Sequence, residues 1–203
     1  MKSISYKARE IEGEQLELTD KEANYYLGPD LTLRRCTLVL RVSSRWLNLL
    51  PTRLMDCTID VKQELKNFAW TCAALKGCRF KGRMVGCDFG PWRDYTEGWE
   101  YGAVEECDFS EARLNNCRFH GCDPRTLRLP AWPHFTILDP LGRSRDMSRV
   151  EWPGRFGRVV ANLHTEPPST VAVTLFAPTE AERYGTTPEE LRAALSNFDF
   201  ILC

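Results

Sequence analysis

Nine cysteines and three histidines carry most of the chemical potential of this 203-residue chain. The cysteines stand at 36, 57, 72, 78, 87, 107, 117, 122 and 203, and the histidines at 120, 134 and 164. Cysteine can bridge to another cysteine, ligate a soft metal or act as a nucleophile. An odd count, in a chain that opens Met1-Lys2-Ser3-Ile4-Ser5-Tyr6-Lys7 without an apolar leader, speaks against a disulfide framework. The best zinc candidate is Cys117-x2-His120-x-Cys122 with Cys107 upstream, yet it lacks the paired knuckles of structural zinc sites. No cysteine is flanked by the base and orienting group of a thiol catalyst. Gly-x-Ser-x-Gly, His-Glu-x-x-His and a phosphate-binding glycine loop are all absent. The residues therefore predict no catalysis, no cofactor and no metal site, and the cysteines read as small buried hydrophobes.

Their spacing says what buries them. Six cysteines are followed two residues later by a large apolar residue: Cys36/Leu38, Cys57/Ile59, Cys78/Phe80, Cys87/Phe89, Cys107/Phe109 and Cys117/Phe119. In an extended chain, residues two apart share a face. The residues between them, Thr37, Thr58, Arg79, Asp88, Asp108 and Arg118, are all polar and face the other way. A second period is five: Cys107, Ala112, Cys117 and Cys122, with Phe109, Leu114 and Phe119 in step. A third is close to twenty, since Cys36 to Cys57 and Cys57 to Cys78 are each 21 and Cys87 to Cys107 is 20. Four five-residue edges make one square turn, and such self-similarity predicts a solenoid.

Glu106–Asp123, ECDFSEARLNNCRFHGCD, resembles the pentapeptide-repeat family, whose members carry Ala or Cys two residues before a central Leu or Phe. The resemblance extends to Ala73–Phe89 and thins over 36–70. It implies a mainly β fold, a right-handed quadrilateral β-helix of about five coils. The repeat slips register between Phe80 and Phe89; counted in fives from Phe89, Asp94 and Glu97 would fall inside, so that coil is expected to be irregular. His120, one residue after the inward Phe119, is expected to face outward.

The flanks differ. Residues 1–30 are acidic, net −3, with Gly28-Pro29-Asp30 as a turn, and read as an N-terminal cap. The β-helix is assigned to 31–129, where the net charge is +4. Residues 130–203 read as a small C-terminal α/β extension in which Trp132, Phe135, Ile137 and Leu138 fold back on the last coil. A strand is predicted at 171–176 from Val171-Ala-Val-Thr-Leu-Phe176, and a helix at 188–200. Thr187 serves as N-cap, Pro188 takes the first turn and Glu190 completes a capping box.

A net charge of −1 gives no field to draw the chain to nucleic acid or membrane, and no apolar run approaches the roughly 20 residues a span requires. A cytoplasmic protein is expected. The cluster Lys76, Arg79, Lys81 and Arg83 reads as a solvated face, so direct nucleic-acid binding is not expected. One segment is rich in the residue types that dominate interfaces: Trp92, Arg93, Tyr95, Trp99 and Tyr101. These five are the predicted partner-binding residues, with another protein as partner; self-association is left open. The preferred reading is a non-catalytic binding protein of immunity or resistance type. Two alternatives stand beside it. In one, implied by the resemblance, the rod mimics DNA and binds a type II topoisomerase, a role the net basic repeat disfavours. In the other, an enzyme would reveal itself by a deep polar pocket between coil and C-terminal lobe.

Overall fold

Each Cys-x-apolar triplet occupies one short strand edge, and the chain winds these edges into stacked tiers. The computed structural model describes residues 2–92 and 101–203. The first tier holds β1 (Lys2–Tyr6), β2 (Arg9–Glu12) and β3 (Gln15–Leu18); the second holds β4 (Ala23–Leu27), β5 (Leu31–Arg34) and β6 (Thr37–Leu40). The third holds β7 (Leu47–Leu49), β8 (Thr52–Met55) and β9 (Thr58–Lys66), and the fourth β10 (Ala73–Lys76), β11 (Arg79–Val85) and β12 (Asp88–Phe89). The fifth holds β13 (Ala103–Glu105), β14 (Asp108–Asn115) and β15 (Cys117–His120). Parallel pairing between tiers builds a first wall β1-β4-β7, a second wall β2-β5-β8-β10-β13 and a third wall β3-β6-β9-β11-β14. The upper strands of the third wall are long and shift register at Gly82/Met84, a bulge that bends the wall and turns the section toward four sides. The four steps between these five tiers make a mainly β solenoid of about 4 turns with 44% strand; the repeat predicted the mainly β solenoid, with about five coils expected.

The interior explains the residue types. Cys36, Cys57, Cys78 and Cys107 lie at one corner in successive tiers, all but sealed from solvent. Each thiol sits beside a main-chain carbonyl two residues back, Sγ to Arg34, Met55, Lys76 and Glu105 oxygens at 3.2–3.5 Å. Cys36, Cys57 and Cys78 also reach carbonyls one tier down, at Ile11, Leu33 and Leu54. The Cys78 thiol is pushed up to about 12, first by its hydrogen bond with Cys107 and further by burial. The sulfurs thus pack as weak donors in a narrow corner. Phenylalanines fill the axis: Phe80 stacks on Phe109 at 4.7 Å and Phe89 on Phe119 at 5.3 Å, while the two columns meet edge-on. Such ring pairs add about 0.5–1.5 kcal/mol each beyond burial.

Two expectations are corrected. The acidic N-terminal residues are coil, not cap: β2 pairs in register with β5 and β3 with β6, because Ile11, Leu16 and Leu18 supply the same inward faces as Leu33, Leu38 and Leu40. The twenty-residue step from Cys87 to Cys107 is not a tier. Arg79 pairs with Asp108 and Asp88 with Arg118, so the true steps are Cys78 to Cys107 and Cys87 to Cys117. The coil expected to be irregular, with Asp94 and Glu97, lies outside the described residues.

The C-terminal portion is an α/β lobe: β16 (His134–Leu138), α1 (Pro140–Met147), α2 (Gly157–Asn162), β17 (Thr170–Phe176), α3 (Ala177–Tyr184), α4 (Pro188–Leu195) and β18 (Ile201–Leu202). The capping box at Thr187 and Glu190 forms as predicted, though α4 ends at Leu195, short of the expected 200. The lobe does not simply fold back on the coil. Its strands continue a sheet of the solenoid, in the order β12-β15-β17-β16-β18, with β17 antiparallel to β15. Phe135 and Ile137 turn into a second core with Phe156, Leu191 and Leu195. No described helix is long and apolar enough to cross a membrane.

Where β9 bulges against β11, the facing residue of β11 must be glycine. Gly82 has φ +91, and a Cβ there would meet the Val61 carbonyl oxygen at 2.0 Å. Gly13 has φ +68 but nothing within 4 Å of a Cβ. Gly13→Ala should cost about 1 kcal/mol, the left-handed term alone. Gly82→Ala should cost about 3 kcal/mol or more, since backbone must also move. Urea unfolding of the two variants tests this; equal losses would show that the third wall gives way freely at the bulge.

Candidate partner-binding site

Of the five predicted binding residues, Trp92 and Tyr101 are described; Arg93, Tyr95 and Trp99 lie outside the described residues. The two that are seen behave differently. Trp92 is buried, with 9% of its surface exposed. Its ring lies parallel to the His120 ring, centroids 4.6 Å apart at 15°, and the Arg118 guanidinium stands 5.0 Å from its centroid. Tyr101 is 62% exposed, the most exposed large hydrophobic side chain among the described residues.

Trp92 roofs a polar clasp that sequence reasoning missed. Asp88 on β12 faces Arg118 on β15 in register. Arg118 donates to both Asp88 oxygens, Nε to Oδ1 at 2.6 Å and Nη2 to Oδ2 at 3.1 Å. His120 Nε2 lies 3.1 Å from Asp88 Oδ1, and its Nδ1 lies 3.1 Å from Ser169 Oγ and 3.4 Å from Thr170 Oγ1. Glu166 completes the group, 3.7 Å from Arg118; burial raises its pKa and Arg118 opposes that shift. His120 was expected on the surface, yet its ring is fully buried. Alternation still holds, since His120 shares the outward face of Arg118 and meets the Asp88 carboxylate there; it is buried because Trp92 stacks on its ring and Ser169 and Thr170 of the lobe cover that face. The signal for the rest was present. Asp88 and Arg118 are the middle residues of two Cys-x-Phe triplets, opposite in charge and one tier apart.

Asp88, His120 and Ser169 stand in the order of a hydrolytic triad, but the arrangement differs from a working one. Both Asp88 oxygens are taken, both imidazole nitrogens are occupied, and no part of the ring meets solvent. Its evident role is to fasten solenoid to lobe, since Asp88, Arg118 and His120 come from tiers, Glu166 and Ser169 from the segment leading into β17 and Thr170 from the start of that strand.

Tyr101 stands at the second wall. Around it a cleft of about 140 Å³ is lined by Asp30, Pro51, Arg53, Cys72 and Ala74. In register the outward positions there run Arg53, Ala74, Ala103, so two small residues leave the wall shallow beside the ring. Leu50, 37% exposed, precedes Pro51 at its edge. The basic cluster Lys76, Arg79 and Lys81 is largely neutralised on the wall itself: Lys76 pairs with Glu105 at 3.5 Å, Arg79 with Asp108 at 3.8 Å, and Lys81 with Glu111 at 2.9 Å. Among the described residues no group of three or more potential ligands could hold a metal ion. No protein-family model matches the chain, and no curated protein matches it either.

A second buried carboxyl lies in the seam. Glu180 on α3 is 2% exposed. Burial raises its pKa, opposed by a hydrogen bond with Asn115 of β14 and by Arg183. A carboxyl whose pKa is higher folded than unfolded is most favourable below its unfolded pKa and loses stability as pH rises through the interval. Glu180→Gln, which can keep the bond to Asn115, should therefore stabilise the protein on the order of 1 kcal/mol at about pH 7 and bring no gain below about pH 4. Thermal unfolding at both pH values reads this; a gain of the same size at both would refute the ionisation account.

Proposed function

We propose that the protein is a non-catalytic repeat protein that works by binding another protein, with Tyr101 and the shallow wall beside it as contact surface. The exposure of Tyr101 carries the reading. A ring that is 62% exposed has not been recruited to either core, and it stands beside small residues and an exposed leucine. Tyrosine offers large, rigid contact area with a polar tip, and is enriched among residues that dominate binding energy. Trp92 belongs to the foundation instead, seated on the clasp. Two further observations support binding over chemistry. The only triad-like cluster among the described residues is closed, and the outward charges of the third wall pair across tiers rather than forming a face of one sign. A DNA mimic would need such an acidic face. We read the chain as a divergent pentapeptide-repeat protein on the strength of its tiers and Cys-x-Phe triplets.

The test is capture of partners from lysate of the source organism with tagged protein, read by mass spectrometry. A stoichiometric partner is expected, with yield falling at least tenfold for Tyr101→Ala while the melting temperature holds, as for loss of a central aromatic contact. An unchanged yield would move the contact elsewhere. The partner's identity, a toxin domain or a topoisomerase subunit, would separate immunity from DNA mimicry.

A further inference from the structure

The third wall obeys a charge rule with one exception. Opposite each basic outward residue of β11 stands an acidic residue of β14: Arg79 faces Asp108, and Lys81 faces Glu111. Arg83, however, faces Arg113. Strands in a sheet are about 4.8 Å apart, and like charges directly opposite destabilise the pair. Among the described residues no carboxylate lies within ion-pair distance of either guanidinium; the nearby Glu64 is taken by Lys66 at 3.1 Å. The two arginines and Lys66 line a groove of about 310 Å³ between the third wall and α3. Three cations thus meet one carboxylate that is already engaged.

The groove is equipped to hold an anion. Arg113 is held in place by Phe176, its guanidinium 4.0 Å from the ring centroid. Asn67 offers a side-chain amide and Thr179 a hydroxyl from the first turn of α3. Glu180 behind this wall is hydrogen-bonded to Asn115, and burial favours its neutral form.

We infer that this groove binds a short acidic segment of a partner protein. Lys66, Arg83 and Arg113 belong to three successive strands, so their charges spread over about 10 Å. That span suits carboxylates on alternate residues of an extended chain, about 6.6–6.8 Å apart, better than one tetrahedral anion. A long polyanion such as nucleic acid fits less well, because Asp60, Asp108 and Glu111 share the same wall. The inference does not depend on Tyr101, which stands on the second wall.

Fluorescence anisotropy with a fluorescein-labelled peptide of alternating glutamate and serine tests it, at low salt with full-length protein. Saturable binding is expected, weakened at least tenfold by Arg83→Gln and by Arg113→Gln. Arg79→Gln, whose guanidinium already faces carboxylates, should bind as well as the parent. Arg83 is exposed, so its substitution reports on charge without the packing that Arg113 shares with Phe176. Absence of peptide binding, or equal binding by Arg83→Gln and parent, overturns the inference. Binding of inorganic phosphate or of a thymidine oligonucleotide in place of the peptide overturns it equally, in favour of a small-anion or nucleic-acid site.

Discussion

Everything in the solenoid depends on turning one corner repeatedly. Immediately before the inward cysteines stand Arg35, Asp56, Gly77 and Glu106, all with φ between 50 and 63°. A second corner repeats the device at Asn67, Gly86 and Asn116. Left-handed backbone costs a non-glycine residue about 1–2 kcal/mol, so these corners need compensation. Each supplies it to its neighbour: the Arg35, Asp56 and Gly77 amides donate to the Met55, Lys76 and Glu105 carbonyls one tier up. The cysteine that follows is small enough to sit close inside the bend, and its thiol reaches a carbonyl of the tier below. These three corners are satisfied from the next tier and not from their own, which is why a single turn could not stand alone.

A stack must also end. Bare strand edges invite pairing with other chains. At the C-terminal end the protein closes two of them with its own backbone: β17 runs antiparallel on β15, and Leu127-Arg128 lies along β14 through hydrogen bonds from Phe109 and Arg128 amides. The clasp of Asp88, Arg118 and His120 ties that closure to the tiers beneath. Lobe and solenoid therefore share a sheet, an ion pair and a buried imidazole, and the polar groups that look most like chemistry are the ones that join them.

Much of this was legible in the sequence, and the parts that were not have physical reasons. The Cys-x-Phe triplets announce inward and outward faces because alternation is a property of any extended chain. The first tier was read as a cap because Leu16 stands where Phe80 stands three tiers on and no cysteine precedes it; burial tolerates that exchange, whereas a motif does not. The step to the fifth tier was misplaced because counting by twenty assumes equal turns, while in-register pairing of Asp88 with Arg118 depends only on which residues meet. His120 escaped because strand alternation tells only which face a residue takes, and here Trp92, Ser169 and Thr170 cover the outward face. Tyr101 could be named as an interface residue from its type, but its exposure depends on neighbours such as Ala74 and Ala103 that carry no signal of their own.

The unequal fifth turn has a consequence for how such a protein changes over generations. Cys57 to Cys78 is 21 residues and Cys78 to Cys107 is 29, yet on the second wall β10 pairs in register with both β8 and β13. Eight additional residues were accommodated between two tiers without disturbing either. A scaffold with that tolerance has two parts: a ladder of corners on which every neighbouring tier depends, and a step whose length the ladder does not dictate. Length can then change at one step, as in a cassette, while the folding instructions of the tiers stay untouched.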